Sequence, residues 1–139
     1  MTKQNVAKKE CQINTSLAGE YHHFIAIDWS MKVMAIARFK PGWREPKVFE
    51  RASDVSELKM MLMQLKGRKI VTFEETTSAH WLYVELYDFV DRIIICDPYR
   101  NRLLLDGPKT DKIDTGKLCY LLYAGLLKEV YLGMRSFLF

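Results

Sequence analysis

His23-Phe24-Ile25-Ala26-Ile27-Asp28 is a short apolar run of β-formers that stops abruptly on a carboxylate. Met31 to Phe39 alternates loosely and reads as a second strand. Pro41-Gly42 supplies a turn signal, and Lys47-Val48-Phe49-Glu50-Arg51 gives a third strand. Three strands at this spacing predict an antiparallel meander, with Asp28 at the tip where the first strand enters its turn. Taken alone, Asp28 followed by Trp29-Ser30 is equally well read as a turn cap.

Downstream the period changes. Ser53 is a good N-cap for a helix through Lys66, with Val55, Leu58, Met61, Leu62 and Leu65 as its buried stripe and Gly67 as its stop. Arg68 to Glu75 is apolar in the middle and acidic at its end, and a helix before it predicts a strand parallel to the first. Ser78 or Thr77 then caps a second helix that turns Trp81, Leu82, Leu86, Phe89 and Val90 inward. Ile93-Ile94-Ile95-Cys96 reads as a fully buried strand stopped by Asp97-Pro98. Residues 99–110 form a basic connector. A third helix is expected from Asp111 to about Leu127, followed by a brief extended return at Glu129-Val130-Tyr131.

The whole is an α/β chain in the order βββαβαβα, that of a ribonuclease-H-like mixed sheet with helices on both faces. Right-handed crossovers place the fourth strand beside the first. Strand ends then bring Asp28 and Glu75 together, and the first turn of the last helix delivers Asp111 and Asp114 to the same edge. Strand alternation lets only one of Glu74 and Glu75 face that edge; Glu75 is the expected one, with Glu74 on the other face. Asp111 and Asp114, three apart on a helix, share one face, although an aspartate at a helix start also caps free N–H groups. Four carboxylates without Cys or His suit Mg²⁺ or Mn²⁺ rather than zinc or copper.

The totals are those of one globular domain: 139 residues, 49% hydrophobic, 27% charged and a net charge of +4. That charge is compatible with nucleic acid without demonstrating it. Arg100, Arg102, Lys109 and Lys112 lie close in sequence to the late acids and are candidate phosphate contacts. Three cysteines without CxxC spacing argue against a disulfide framework and for a reducing, cytoplasmic setting. No run approaches the ~20 apolar residues of a membrane span. Residues 1–20 are polar and aperiodic and read as a flexible leader ahead of a domain over 21–139. His22 and His23 face opposite sides of a strand and make a poor metal pair.

Several short motifs carry a family likeness. Ala26-Ile27-Asp28-Trp29-Ser30 resembles Gly-Ile-Asp-x-Ser, and Glu75-Thr76-Thr77-Ser78 resembles Glu-x-Thr-Gly with serine for glycine. Cys96-Asp97-Pro98 follows, and Lys109-Thr110-Asp111-Lys112-Ile113-Asp114-Thr115 resembles Lys-Thr-Asp-x-x-Asp-Ala. Over roughly residues 23–131, this order and spacing resemble the DEDD transposases and recombinases of the IS-one-ten insertion-sequence family, relatives of the Piv invertase. Their amino-terminal domain is similar to the RuvC resolvase.

The resemblance implies a RuvC-like catalytic domain in which Asp28, Glu75, Asp111 and Asp114 hold Mg²⁺ or Mn²⁺ for DNA strand cleavage and exchange in transposition. It also implies DNA, a structured guide RNA and further copies of the chain as partners. A second, serine-bearing domain completes such enzymes, and the 139 residues end before it, so activity of this length alone is not expected to be complete. The alternative is a non-catalytic nucleic-acid-binding or assembly domain with vestigial acids. A sugar-kinase-like ATPase half shares the element order but needs a glycine-rich phosphate loop after the first strand, which Asp28-Trp29-Ser30-Met31-Lys32 lacks.

Overall fold

The computed structural model describes residues 19–97 and 114–130. The strands are β1 (His23–Trp29), β2 (Val33–Phe39), β3 (Lys47–Ala52), β4 (Lys69–Glu74) and β5 (Arg92–Cys96). The helices are α1 (Val55–Gln64), between β3 and β4; α2 (Ala79–Leu86), extended by a 3₁₀ turn over Tyr87–Phe89, between β4 and β5; and α3 (Thr115–Ala124), after β5. They build an α/β domain on a five-stranded mixed sheet in the order β3-β2-β1-β4-β5.

The expected meander is present, with β1–β2 and β2–β3 antiparallel. The crossover through α1 lays β4 parallel beside β1, and that through α2 lays β5 parallel beside β4. β1 is therefore central and must bury both faces, which is why its first five residues are all buried, His23 included. The outer edge of β3 is exposed along most of its length and carries alternating charges, a pattern that discourages edge pairing. β5 is covered on its outer side: Asp97 N–H donates to Lys128 O at 2.9 Å and Val130 N–H to Ile95 O at 2.8 Å.

The two-residue alternation divides the core. Ile25, Ile27, Ile36, Val71 and Phe73 face α1 and α2, packing on Leu58, Leu62, Leu82 and Leu86. Phe24, Ala26, Ala37, Ile70 and Cys96 face α3, packing on Leu118, Cys119 and Leu122. Ala26 and Ala37 are register partners and leave a shallow place in the sheet. The Cys119 thiol settles there, donating to Phe24 O at 3.2 Å. Burial pushes that thiol up to about 12, so it behaves as a small hydrophobe, as the sequence suggests.

Helix ends differ from expectation. Asp54, not Ser53, caps α1, its carboxylate accepting from Ser56 N–H at 2.9 Å and Glu57 N–H at 3.2 Å. Ser53 instead donates its hydroxyl to Ser30 O at 2.6 Å, tying β3 to the β1–β2 turn. α3 begins at Thr115 rather than Asp111 and stops at Ala124, because Gly125 takes a left-handed φ of 75° and its N–H returns to the last turn. Asp111 and the connector cations lie outside the described residues, as do residues 1–18 of the expected leader and Cys11. No helix among the described residues is long and apolar enough to cross a membrane.

His23 is buried at the start of β1. Its Nε2 lies 2.8 Å from Lys66 O, and Nδ1 has no hydrogen-bond partner among the described residues. Burial lowers its pKa; the Lys66 carbonyl opposes this, while Arg38, Lys40 and Lys69 add to it. The folded chain thus binds this proton less readily than the unfolded chain does. The contribution to stability is complete above the unfolded value near 6.5 and is lost as pH falls from there through the lower folded value. Urea unfolding between about pH 7.5 and 5 is expected to show the decline, and His23→Gln to flatten it.

Candidate functional site

β1 and β4 run in the same direction, so their carboxyl ends open on one edge of the sheet. Ligands of open α/β sheets bind outside such strand ends, where the connections diverge. β1 is that place here, with the antiparallel meander on one side and the parallel strands on the other. The edge holds a cavity of about 100 Å³. Asp28, Glu74, Thr76, Ser78 and Thr115 give its polar lining, and Ile27, Trp29, Phe73, Ala79, Leu82 and Leu118 its apolar walls.

Register decides which acids meet. Ala26 is the partner of Thr72, so two residues further on Asp28 stands beside Glu74, on the face that α3 covers. Neighbouring strands run about 4.8 Å apart. Glu74, not the expected Glu75, therefore lines the cavity. β4 pairs with β5 as far as Glu74, and Glu75 is the next residue, exposed and outside the lining. Thr72, two positions before Glu74 on the same face of β4, is buried.

The turn after Asp28 is held by Ser30, whose hydroxyl donates to Val33 O at 2.5 Å and whose N–H bonds the same carbonyl at 3.1 Å. Ser30 thus shapes the loop beside the acid. Trp81 is not inward-facing as expected. It is 43% exposed and packs on Trp29 at 5.2 Å between ring centroids, an aromatic pair beside the cavity mouth.

α3 brings Thr115 into the cavity wall, a buried hydroxyl that no motif in the sequence marks. Asp114, the residue before it, is the N-cap: Oδ1 accepts from Gly116 N–H at 2.7 Å and Lys117 N–H at 3.4 Å. Asp114 thus has the capping role at the start of α3, and its expected pairing with Asp111 lies outside the described residues. Asp111, Lys109, Lys112, Arg100 and Arg102 fall outside the described residues. Among the described residues no group of three or more acidic, His or Cys side chains is close enough to hold a metal ion. The donors that do meet, two carboxylates with hydroxyls nearby, are hard oxygens. Mg²⁺ is commonly held by one or two carboxylates, with water and substrate phosphate completing its shell.

Capping and ion binding by Asp114 separate cleanly. Asp114→Ala is expected to cost about 1 kcal/mol of stability, and Asp114→Asn only a few tenths because asparagine caps equally well. If the carboxylate also holds an ion, both variants lose Mn²⁺ affinity. Thermal unfolding and Mn²⁺ titration on the same samples distinguish the roles.

No protein-family model, curated protein or solved structure matches this chain.

Proposed function

We propose that the chain is the ribonuclease-H-like, RuvC-like catalytic domain of a DEDD transposase or recombinase, a metal-dependent enzyme of DNA strand cleavage and exchange. The observation that carries this reading is the meeting of Asp28 and Glu74 in one cavity, at the ends of neighbouring parallel strands and against the first turn of α3. The sheet order and the run of short motifs support it. The family frame Glu-x-Thr fits Glu74-Glu75-Thr76 as well as Glu75-Thr76-Thr77, and Thr76 is the threonine in the cavity lining.

In this reading Asp28 and Glu74 hold Mg²⁺ or Mn²⁺, with Asp114 and Asp111 as the further carboxylates the resemblance implies. A divalent ion there supplies Lewis-acid stabilisation of charge on a phosphoryl oxygen. Ile27, Phe73, Leu82 and Leu118 shield the cavity floor from water, which strengthens every charge interaction inside it. The N-terminal residues of α2 and α3, Ser78, Ala79 and Thr115, belong to the lining. DNA, a structured guide RNA, further copies of the chain and a serine-bearing domain are the proposed partners of the complete enzyme.

The use of the Asp114 carboxylate as a helix cap favours a second reading, a non-catalytic nucleic-acid-binding or assembly domain. Mn²⁺ titration of the chain and of Asp28→Ala and Asp111→Ala tests the choice. Loss of binding in both variants is expected; unchanged binding in both discards the catalytic reading. Salt-dependent DNA or RNA binding together with Mn²⁺ binding unchanged by removal of the acids supports the second.

A further inference from the structure

A second charged surface lies at the other end of β1. His23 and Asp28 are five residues apart on one strand, about 17 Å at the usual strand rise. Around His23 gather Arg38, Lys40 and Lys69, the cations whose field acts on its ring. Lys47 adjoins them, since it stands directly opposite Arg38 in the β2–β3 ladder. Like charges facing each other across strands destabilise a sheet. Both are drawn to one ring, with Lys47 Nζ at 4.7 Å and Arg38 Cζ at 5.9 Å from the Trp43 centroid. That contact holds the cations without neutralising them. The ion pairs among the described residues join Arg51 to Glu57, Lys59 to Glu85 and Arg92 to Glu129, and none involves this group. Arg38 Nε is buried and has no hydrogen-bond partner among the described residues.

We propose that Arg38, Lys40, Lys47 and Lys69, arranged around Trp43 and His23, bind the phosphodiester backbone of a nucleic-acid strand. The spacing favours a polymer over a lone phosphate. Lys47 on β3 and Lys69 on β4 are three inter-strand steps apart, roughly 14 Å, which is wider than a lone phosphate can bridge. This surface stands apart from the acid cavity and does not depend on that cavity being catalytic.

Fluorescence anisotropy with labelled single-stranded DNA, single-stranded RNA and duplex DNA, each about 20 nucleotides or base pairs and titrated between about 50 and 200 mM NaCl, tests it. Lys40→Gln with Lys47→Gln is expected to lower the log–log salt slope for a single strand by about 1.4 and to weaken binding about tenfold or more at low salt. The control, Lys32→Gln with Arg51→Gln, removes the same charge near the opposite end of β2 and β3 and is expected to change affinity by less than about twofold. Equal losses in both doubles, or no binding of any probe by the unaltered chain, overturn the proposal. Circular dichroism on both doubles confirms that folding is unchanged, and the preferred probe identifies the type of strand.

Discussion

At the proposed metal site, Glu74→Gln is expected to weaken Mn²⁺ binding at least about 100-fold, while Glu75→Gln leaves it within about twofold. Loss of a group that only supports a ligand already costs 10- to 100-fold, so loss of a direct ligand belongs at or beyond the top of that range. Both substitutions remove one charge from adjacent positions, so a long-range field effect would lower affinity nearly equally. The discrimination comes from the pleat: Glu74 stands beside Asp28 in the cavity lining, whereas Glu75 is exposed outside it. Calorimetric titration of both variants and of Asp28→Asn gives the answer directly. A larger loss from Glu75→Gln than from Glu74→Gln would reverse the assignment of the strand-end acid.

The second large effect is on stability. Phe24→Ala is expected to cost about 3–5 kcal/mol, the range for removing a buried aromatic ring. Phe24 is fully buried and meets Tyr123 edge-on at 5.1 Å and Tyr21 at 6.2 Å. Its carbonyl also accepts from the Cys119 thiol, so it fixes α3 against the sheet. For a domain of this size each kcal/mol shifts Tm by several degrees, so a fall of more than about 10 °C is expected. Because α3 carries Thr115 to the cavity wall, the proposed Mn²⁺ affinity should decline with it. Met63→Ala, at a side chain 66% exposed, is the control and should stay within about 0.5 kcal/mol. A cost below about 1 kcal/mol for Phe24→Ala would mean that α3 is not seated on this face.

Much of the architecture was legible beforehand, because periodicity is a local property. The alternating strands, the helical stripe of Leu58 and Leu62, and the turn at Pro41-Gly42 are each set by side chains within a few positions. The helix between β3 and β4 implied their separation in the sheet and the parallel pairing of β4 with β1. Helix ends were less legible, since Ser53 and Asp54 are both good caps. Only the pull of the β1–β2 turn on the Ser53 hydroxyl left the cap to Asp54. Trp81 was misplaced for a similar reason: helical spacing gives its face, while the packing of Trp29 leaves it at the rim.

By itself the sequence determined the α/β class, the central apolar strand ending in Asp28, and the expectation that acids from distant segments share one rim. It could not say which of two adjacent glutamates faces Asp28. That depends on the β1–β4 register, a relation between segments over forty residues apart, and a one-residue difference exchanges the two faces of a strand. Nor could it separate capping from ligation at Asp114, since a carboxylate in a helix's first turn is suited to both. Tertiary structure decided the first by pairing Ala26 with Thr72, and gave Asp114 its cap by starting α3 at Thr115.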